Sequence, residues 1–265
     1  MIASTIWSWS TLLVIGAGFL SGILSAMLGV GGAVITTPAI RALGASPELA
    51  LGSTVPAIIP AAITGTIRYQ REGLVDWTVG LWCGSAGAVS ALVGAWTSTK
   101  VDAGWLMVAT ACLMLYSAWS VMRSPSVLAP ADLPPAGNRP RRVRVGWLIG
   151  IGLAAGFLAG LLGIGGGLVM VPAFTLLLGM RVKEIVASSL VAVAMMSVSS
   201  LVGHILAGHV DWAYALPLMA GVIPGAQVGS KITVAASEAT MRRIAGIGLF
   251  AIGTIYLVTE LRGVL

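Results

Sequence analysis

Two stretches of this chain carry no charged side chain at all, Met1 to Ile40 and Val145 to Met180. Each is far longer than the roughly 20 residues a helix needs to cross a bilayer core. Shorter charge-free runs cover 77–99, 103–122, 185–210, 212–230 and 244–259. A soluble surface carries about a quarter charged residues, whereas this chain is 9% charged and 57% apolar. Such a chain cannot cover a globule with water-compatible groups. The expectation is an all-α polytopic membrane protein. A transmembrane barrel would show alternating segments of about ten residues, and the runs here are continuous. A cleaved secretory leader is not expected either, since Met1–Ser10 has no basic start and the apolar run does not stop.

The net charge is +6, but five of the fifteen basic residues are Arg123, Arg139, Arg141, Arg142 and Arg144. They cluster around a single connection, where basic residues mark the cytoplasmic side, and no nucleic-acid partner is expected. Cys83 and Cys112 lie in apolar runs without metal-ligand spacing and read as small buried hydrophobes. No metal or cofactor is expected. The chain lacks GxxxxGK[ST], HExxH and GxSxG, so the motifs of ATPases, zinc proteases and serine hydrolases are missing and no enzyme is expected.

The chain is also written twice. GVGGAVITTPAI (29–40) and GIGGGLVMVPAF (163–174) stand 134 residues apart, and GLVDW (73–77) and GHVDW (208–212) stand 135 apart. At the second offset Ser53-Thr54 align with Ser188-Ser189, and Gly94 with Gly229. Nearly constant register over two hundred residues indicates internal duplication. The expected units are membrane repeat 1 (1–122), a cytoplasmic linker (123–145) and membrane repeat 2 (146–265). The linker holds five of the twelve prolines and reads as an extended connection.

Each repeat offers about five apolar segments. The second of each, 33–44 and 167–178, is a dozen residues, about 18 Å at 1.5 Å per residue. That is too short to span alone, so these segments are a hairpin partner or a re-entrant half-helix. With the linker inside, loop 68–76 (Arg68, Arg71) also counts as inside. Loop 204–211 has no Lys or Arg and falls outside. Equivalent loops on opposite sides mean two inverted-topology repeats, with helices broken at the glycine motifs.

Those motifs are the sharpest candidate site. Gly29-Val30-Gly31-Gly32 and Gly163-Ile164-Gly165-Gly166-Gly167 each precede a helical stretch. Glycine lets a ligand approach backbone N–H groups closely. A helix starting just after such a loop aims unpaired donors and a partial positive charge at it. Paired interrupted segments in inverted repeats are the sequence pointer to a carrier site. The competing reading is close helix packing, as with the ladders Gly80, Gly84, Gly87 and Gly221, Gly225, Gly229. The hydroxyls of Ser53, Thr54, Ser188 and Ser189 either donate to a bound oxyanion or bond backbone carbonyls of their own helix. Asp76-Trp77 and Asp211-Trp212 read as helix N-caps with interfacial anchors.

His204 is the candidate for ion coupling, although its position by a loop, with His209, suggests solvated imidazoles. No carboxylate or basic side chain sits near the middle of a span. An anion leaving the cell gains about 2.3 kcal/mol per charge per 100 mV, so export without obligatory proton coupling is the expectation. Proton symport through His204 is its rival.

Taken together, the twin GxGG motifs, each six residues before Pro38 or Pro172, the Ser/Thr pairs, the VDW elements and the central loop resemble the TauE/SafE family. Its members, sulfite exporters or sulfonate permeases, are bacterial inner-membrane proteins. The resemblance implies a secondary transporter, acting as an exporter, of a small sulfur-containing oxyanion: sulfite, a sulfonate or a sulfoacetate-like compound. It implies a site at Gly29, Gly31, Gly32, Gly163, Gly165, Gly166 and Gly167 with the neighbouring hydroxyls, and Ala33 standing where the second motif has Gly167. A passive anion channel and a cargo-free membrane scaffold remain the alternatives.

Overall fold

A computed structural model describes residues 9–123, 145–178 and 180–264. Among them are ten helices: α1 (Trp9–Leu28), α2 (Ala33–Ala42), α3 (Pro47–Arg71), α4 (Trp77–Ser98), α5 (Ala103–Arg123), α6 (Val145–Leu162), α7 (Gly167–Leu178), α8 (Val182–Leu206), α9 (Trp212–Ala235) and α10 (Glu238–Val264). No strand occurs among the described residues. Seven of the helices, α1, α3, α4, α5, α6, α8 and α10, are long and apolar enough to cross a membrane. The chain is an all-α polytopic membrane protein. The linker expected over 123–145 lies, apart from Arg123 and Val145, outside the described residues.

Local chemistry sets the helix ends. Ser46 caps α3 by accepting the Leu49 N–H at 3.4 Å, with Pro47 opening the helix. Asp76 accepts the Val79 N–H at 3.2 Å and Asp211 the Ala213 N–H at 2.8 Å, so both act as the N-caps expected of them. Trp77 and Trp212, next in sequence, are exposed.

The helices pair reciprocally. α1 packs on α9 as α6 packs on α4, α3 touches both α8 and α9, α8 touches both α3 and α4, and α5 lies on α10. Exchanging the first five helices for the last five leaves this scheme unchanged. The contacts are made by small residues. Gly221, Gly225 and Gly229 of α9 lie against the backbone of Ile15, Phe19 and Ile23. Gly152, Gly156 and Gly160 of α6 lie against Cys83, Gly87 and Ala91. Helices in lipid gain nothing from burying apolar surface against each other, so backbone approach of this kind is what holds them. The glycine ladders are thus packing faces. Cys83 is buried, but Cys112 is exposed; an apolar run in a membrane helix has a lipid face, and Cys112 is on it.

Two hydrogen bonds set the relative direction of α3 and α8. Ser53, near the start of α3, accepts the N–H of Asp211, which lies beyond the end of α8, at 2.8 Å. Ser188, near the start of α8, accepts the N–H of Asp76, beyond the end of α3, at 2.9 Å. Each helix therefore begins beside the end of the other, and the equivalent helices α3 and α8 run antiparallel.

Candidate functional site

Chain continuity in α1–α2 and α6–α7 is broken at the two glycine motifs, and the reason is conformational. Gly29 and Gly163 have φ of 67° and 64°, and Gly31 and Gly165 have φ of 83° and 75°. This is the left-handed region, which side chains with a Cβ avoid at about 1–2 kcal/mol. The two loops come into direct contact. Gly167 packs against the Gly29 carbonyl and Val30, and a Cβ placed on Gly31 would lie 2.9 Å from the Ile164 carbonyl.

Gly31 and Gly165 share a surrounding. From the position a Cβ would take, Ile58 Cγ2 is 3.2 Å away at Gly31 and 3.1 Å at Gly165; Val193 Cγ1 is 3.6 and 3.2 Å away. Ile58 and Val193 are themselves equivalents at the 135 offset, so the two motifs meet where the halves of the molecule meet. Since α2 and α7 both begin at this junction, the unpaired N–H groups of their first turns face it. The junction therefore gathers the N-terminal donors and partial charges of two helices, and the side chains beside Gly31 and Gly165 are Ile58, Val193 and Ser197.

The two motifs differ in detail. Gly32 is right-handed (φ −71°, ψ −12°) and its carbonyl accepts from the hydroxyls of Ser21 and, at 3.1 Å, Thr36. Gly166, its counterpart, has φ +77°, and its carbonyl accepts the Val169 and Met170 N–H groups at 3.1 and 3.2 Å. Ala33 is fully buried where the other half requires Gly167 for loop contact.

The hydroxyl pairs take other partners. Ser53 and Ser188 brace the turns before α9 and α4, as above. Thr54 donates to the Leu51 carbonyl at 2.9 Å, and Ser189 is 3.0 Å from both the Gly29 and Val186 carbonyls. Of the four, Ser189 reaches a glycine motif. The hydroxyl beside Gly165 is that of Ser197, 3.3 Å from the position a Cβ would occupy. Ser197 is fully buried and its hydroxyl has no partner. A search for repeated residues cannot find it, because its equivalent is Ala62; a polar residue in a charge-free span is the signal that could have.

His204 is not a solvated loop residue. It lies in the last turn of α8, is fully buried, and its Nε2 lies 3.0 Å from the Gly160 carbonyl. The helix runs three residues into the stretch read as loop 204–211, to Leu206, and α6 covers its last turn. Its equivalent, Tyr69, likewise donates to the carbonyl of Ala26 at 2.5 Å. Among the described residues no cluster of three His, Cys, Asp or Glu could hold a metal ion.

With this geometry in place, comparison with known proteins is decisive. The family model "Sulfite exporter TauE/SafE" matches residues 14–256. The chain belongs to this family. It is similar to the probable membrane transporter protein YunE of Bacillus subtilis, 28% identical over 92% of this chain and 96% of the relative. A probable membrane transporter protein of Xylella fastidiosa is 26% identical over 94% and 95%. YfcA of Escherichia coli K12, also a probable membrane transporter protein, is 26% identical over 84% and 80%. No solved structure matches.

Proposed function

We propose that this TauE/SafE protein is a secondary carrier that exports a small sulfur-containing oxyanion (sulfite, a sulfonate or a sulfoacetate-like compound) bound between inverted repeats. The observation that carries this reading is that α2 and α7, one from each half, begin at a single junction of glycine loops. An anion there meets N–H donors and partial positive charge from both sides, without a fixed cation that would hold it too tightly to release. The family description supports a sulfur oxyanion as cargo. The antiparallel run of α3 and α8 supports inverted repeats over 1–122 and 146–265.

In this arrangement the linker and loop 68–76 face the cytoplasm and loop 204–211 faces outward, in the inner membrane of a bacterial cell. The chain carries out transport and no covalent chemistry. The close contact of Gly167 with the Gly29 carbonyl favours a second reading, a scaffold whose glycines serve packing alone. A thermal-shift screen of the purified protein against sulfite, sulfate, thiosulfate, taurine and sulfoacetate tests the choice. A carrier is stabilised by one or more sulfur oxyanions in proportion to RT ln(1 + [L]/Kd); a scaffold is indifferent to all.

A further inference from the structure

Ser197, Ser200 and His204 stand at i, i+3 and i+7 on α8, which places them on one helical face. All three are buried, at 0%, 1% and 0% exposure. Each has an atom without a hydrogen-bond partner: the Ser197 hydroxyl, the Ser200 hydroxyl and His204 Nδ1. Three orphaned polar atoms in one row of a membrane helix are costly and need a reason. The row has two defined ends. Ser197 adjoins Gly165, 3.3 Å from its would-be Cβ. At the other end the His204 ring is 5.7 Å from that of His209, in the partly exposed turn after α8. The other half carries Ala62, Gly65 and Tyr69 at the equivalent positions, so the row exists once in the molecule.

We propose that Ser197, Ser200, His204 and His209 form a proton route, by which a proton entering from the outer face is exchanged for the anion exported at the glycine loops. The proposal rests on the carrier reading above. A carbonyl only accepts, so the Gly160 carbonyl fixes the proton of neutral His204 on Nε2 and leaves a lone pair on Nδ1. Nδ1 takes the travelling proton. Each serine hydroxyl accepts one proton and passes on another, so the hydroxyls are regenerated. Neighbours three apart on a helix are about 5–6 Å apart at Cβ, a gap that hydroxyl rotation and a bridging water close. The buried row admits a proton and not an anion.

Among the described residues, no group beside His204 bonds its Nδ1. His209 faces it from the turn. From α6 it meets the Gly160 carbonyl, and from α4 Ala95 lies against the adjacent Gly203.

The test uses the full chain in proteoliposomes with radiolabelled sulfoacetate, whose sulfonate stays ionised. Exchange at equal pH needs the anion site alone; accumulation driven by a pH gradient needs the proton as well. Wild-type protein is expected to exchange sulfoacetate and to accumulate it about tenfold per pH unit for each coupled proton, since tenfold corresponds to about 1.4 kcal/mol. His204→Gln, Ser200→Ala and His204→Tyr are expected to keep exchange and lose accumulation. The last substitutes the residue that the other half uses to bond the equivalent carbonyl, that of Ala26, so it keeps a donor for Gly160 should the glutamine variant fail to fold. Exchange without pH-driven accumulation in the wild type, or accumulation undiminished in the variants, overturns the proton route while leaving the carrier standing. No exchange by the wild type of sulfoacetate or of any other anion of the thermal-shift panel overturns both.

Discussion

Arg41, near the end of α2, grips Glu260 of α10 through two parallel hydrogen bonds, Nε to Oε1 and Nη2 to Oε2, both 3.2 Å. The same guanidinium donates from Nη1 to the Ala45 carbonyl at 2.8 Å. Since α2 begins at one of the two glycine loops, this pair ties the other end of a helix that lines the candidate site to α10.

Glu260 is 3% exposed and Arg41 28% at their side chains, and breaking such a pair from one side strands the other charge. Glu260→Gln should lower stability by about 1–3 kcal/mol, below the range of a fully buried pair because Arg41 reaches solvent. The double variant Arg41→Gln with Glu260→Gln should recover part of the loss. Thermal unfolding in detergent of both singles and the double checks this; additive losses would mean the two side chains are not coupled.

The hydroxyls of Ser53 and Ser188 brace the turns before α9 and α4. Ser53→Ala and Ser188→Ala each leave a backbone N–H without its acceptor, which costs about 1–3 kcal/mol when buried. Reduced unfolding temperature with unchanged anion affinity is the expected result. A fall in affinity without a fall in stability would place these hydroxyls on the anion.

At Gly165 the atoms nearest a new Cβ are side-chain ends at 3.1–3.3 Å, whereas at Gly31 a backbone carbonyl stands at 2.9 Å. Gly165→Ala should therefore fold with a loss of about 1–2 kcal/mol from its positive φ and bind anion at least tenfold more weakly, because the methyl group covers the donors. Gly31→Ala should cost more stability. Leucine at either position should abolish binding. A folded Gly165→Leu protein with unchanged affinity, measured by calorimetric titration, would remove the junction from the site.

Inversion has a direct test in labelling. Cysteines placed at Gln70 and Ala207, in a background lacking Cys83 and Cys112, should react with an impermeant maleimide from opposite sides of the membrane. Reaction from the same side would contradict inverted repeats.

Much of this was legible in the residues because membrane chemistry is restrictive. Charge-free runs located the spans, and the VDW elements marked the capped starts of α4 and α9. The glycine motifs stood out because a broken helix needs φ angles that other residues resist. The buried row on α8 was not legible by the same means. Duplication draws the eye to what is repeated, and Ser197, Ser200 and His204 are what the repeats do not share. His204 resembles a loop residue in the sequence because nothing in its own segment shows that α6 supplies a carbonyl to it. Likewise, whether Ser53 and Ser188 point to a ligand or a turn depends on residues about 110 to 160 positions away, which no local pattern encodes.

Counterflow tests the central claim most directly. Proteoliposomes loaded with unlabelled sulfite should take up external labelled sulfite faster than empty ones, with a rate that saturates and that falls at least tenfold in Gly165→Ala. Uptake that rises linearly with concentration and ignores internal sulfite would make the protein a channel. Uptake no faster than in protein-free vesicles, for sulfite and for each anion of the panel, would contradict the account.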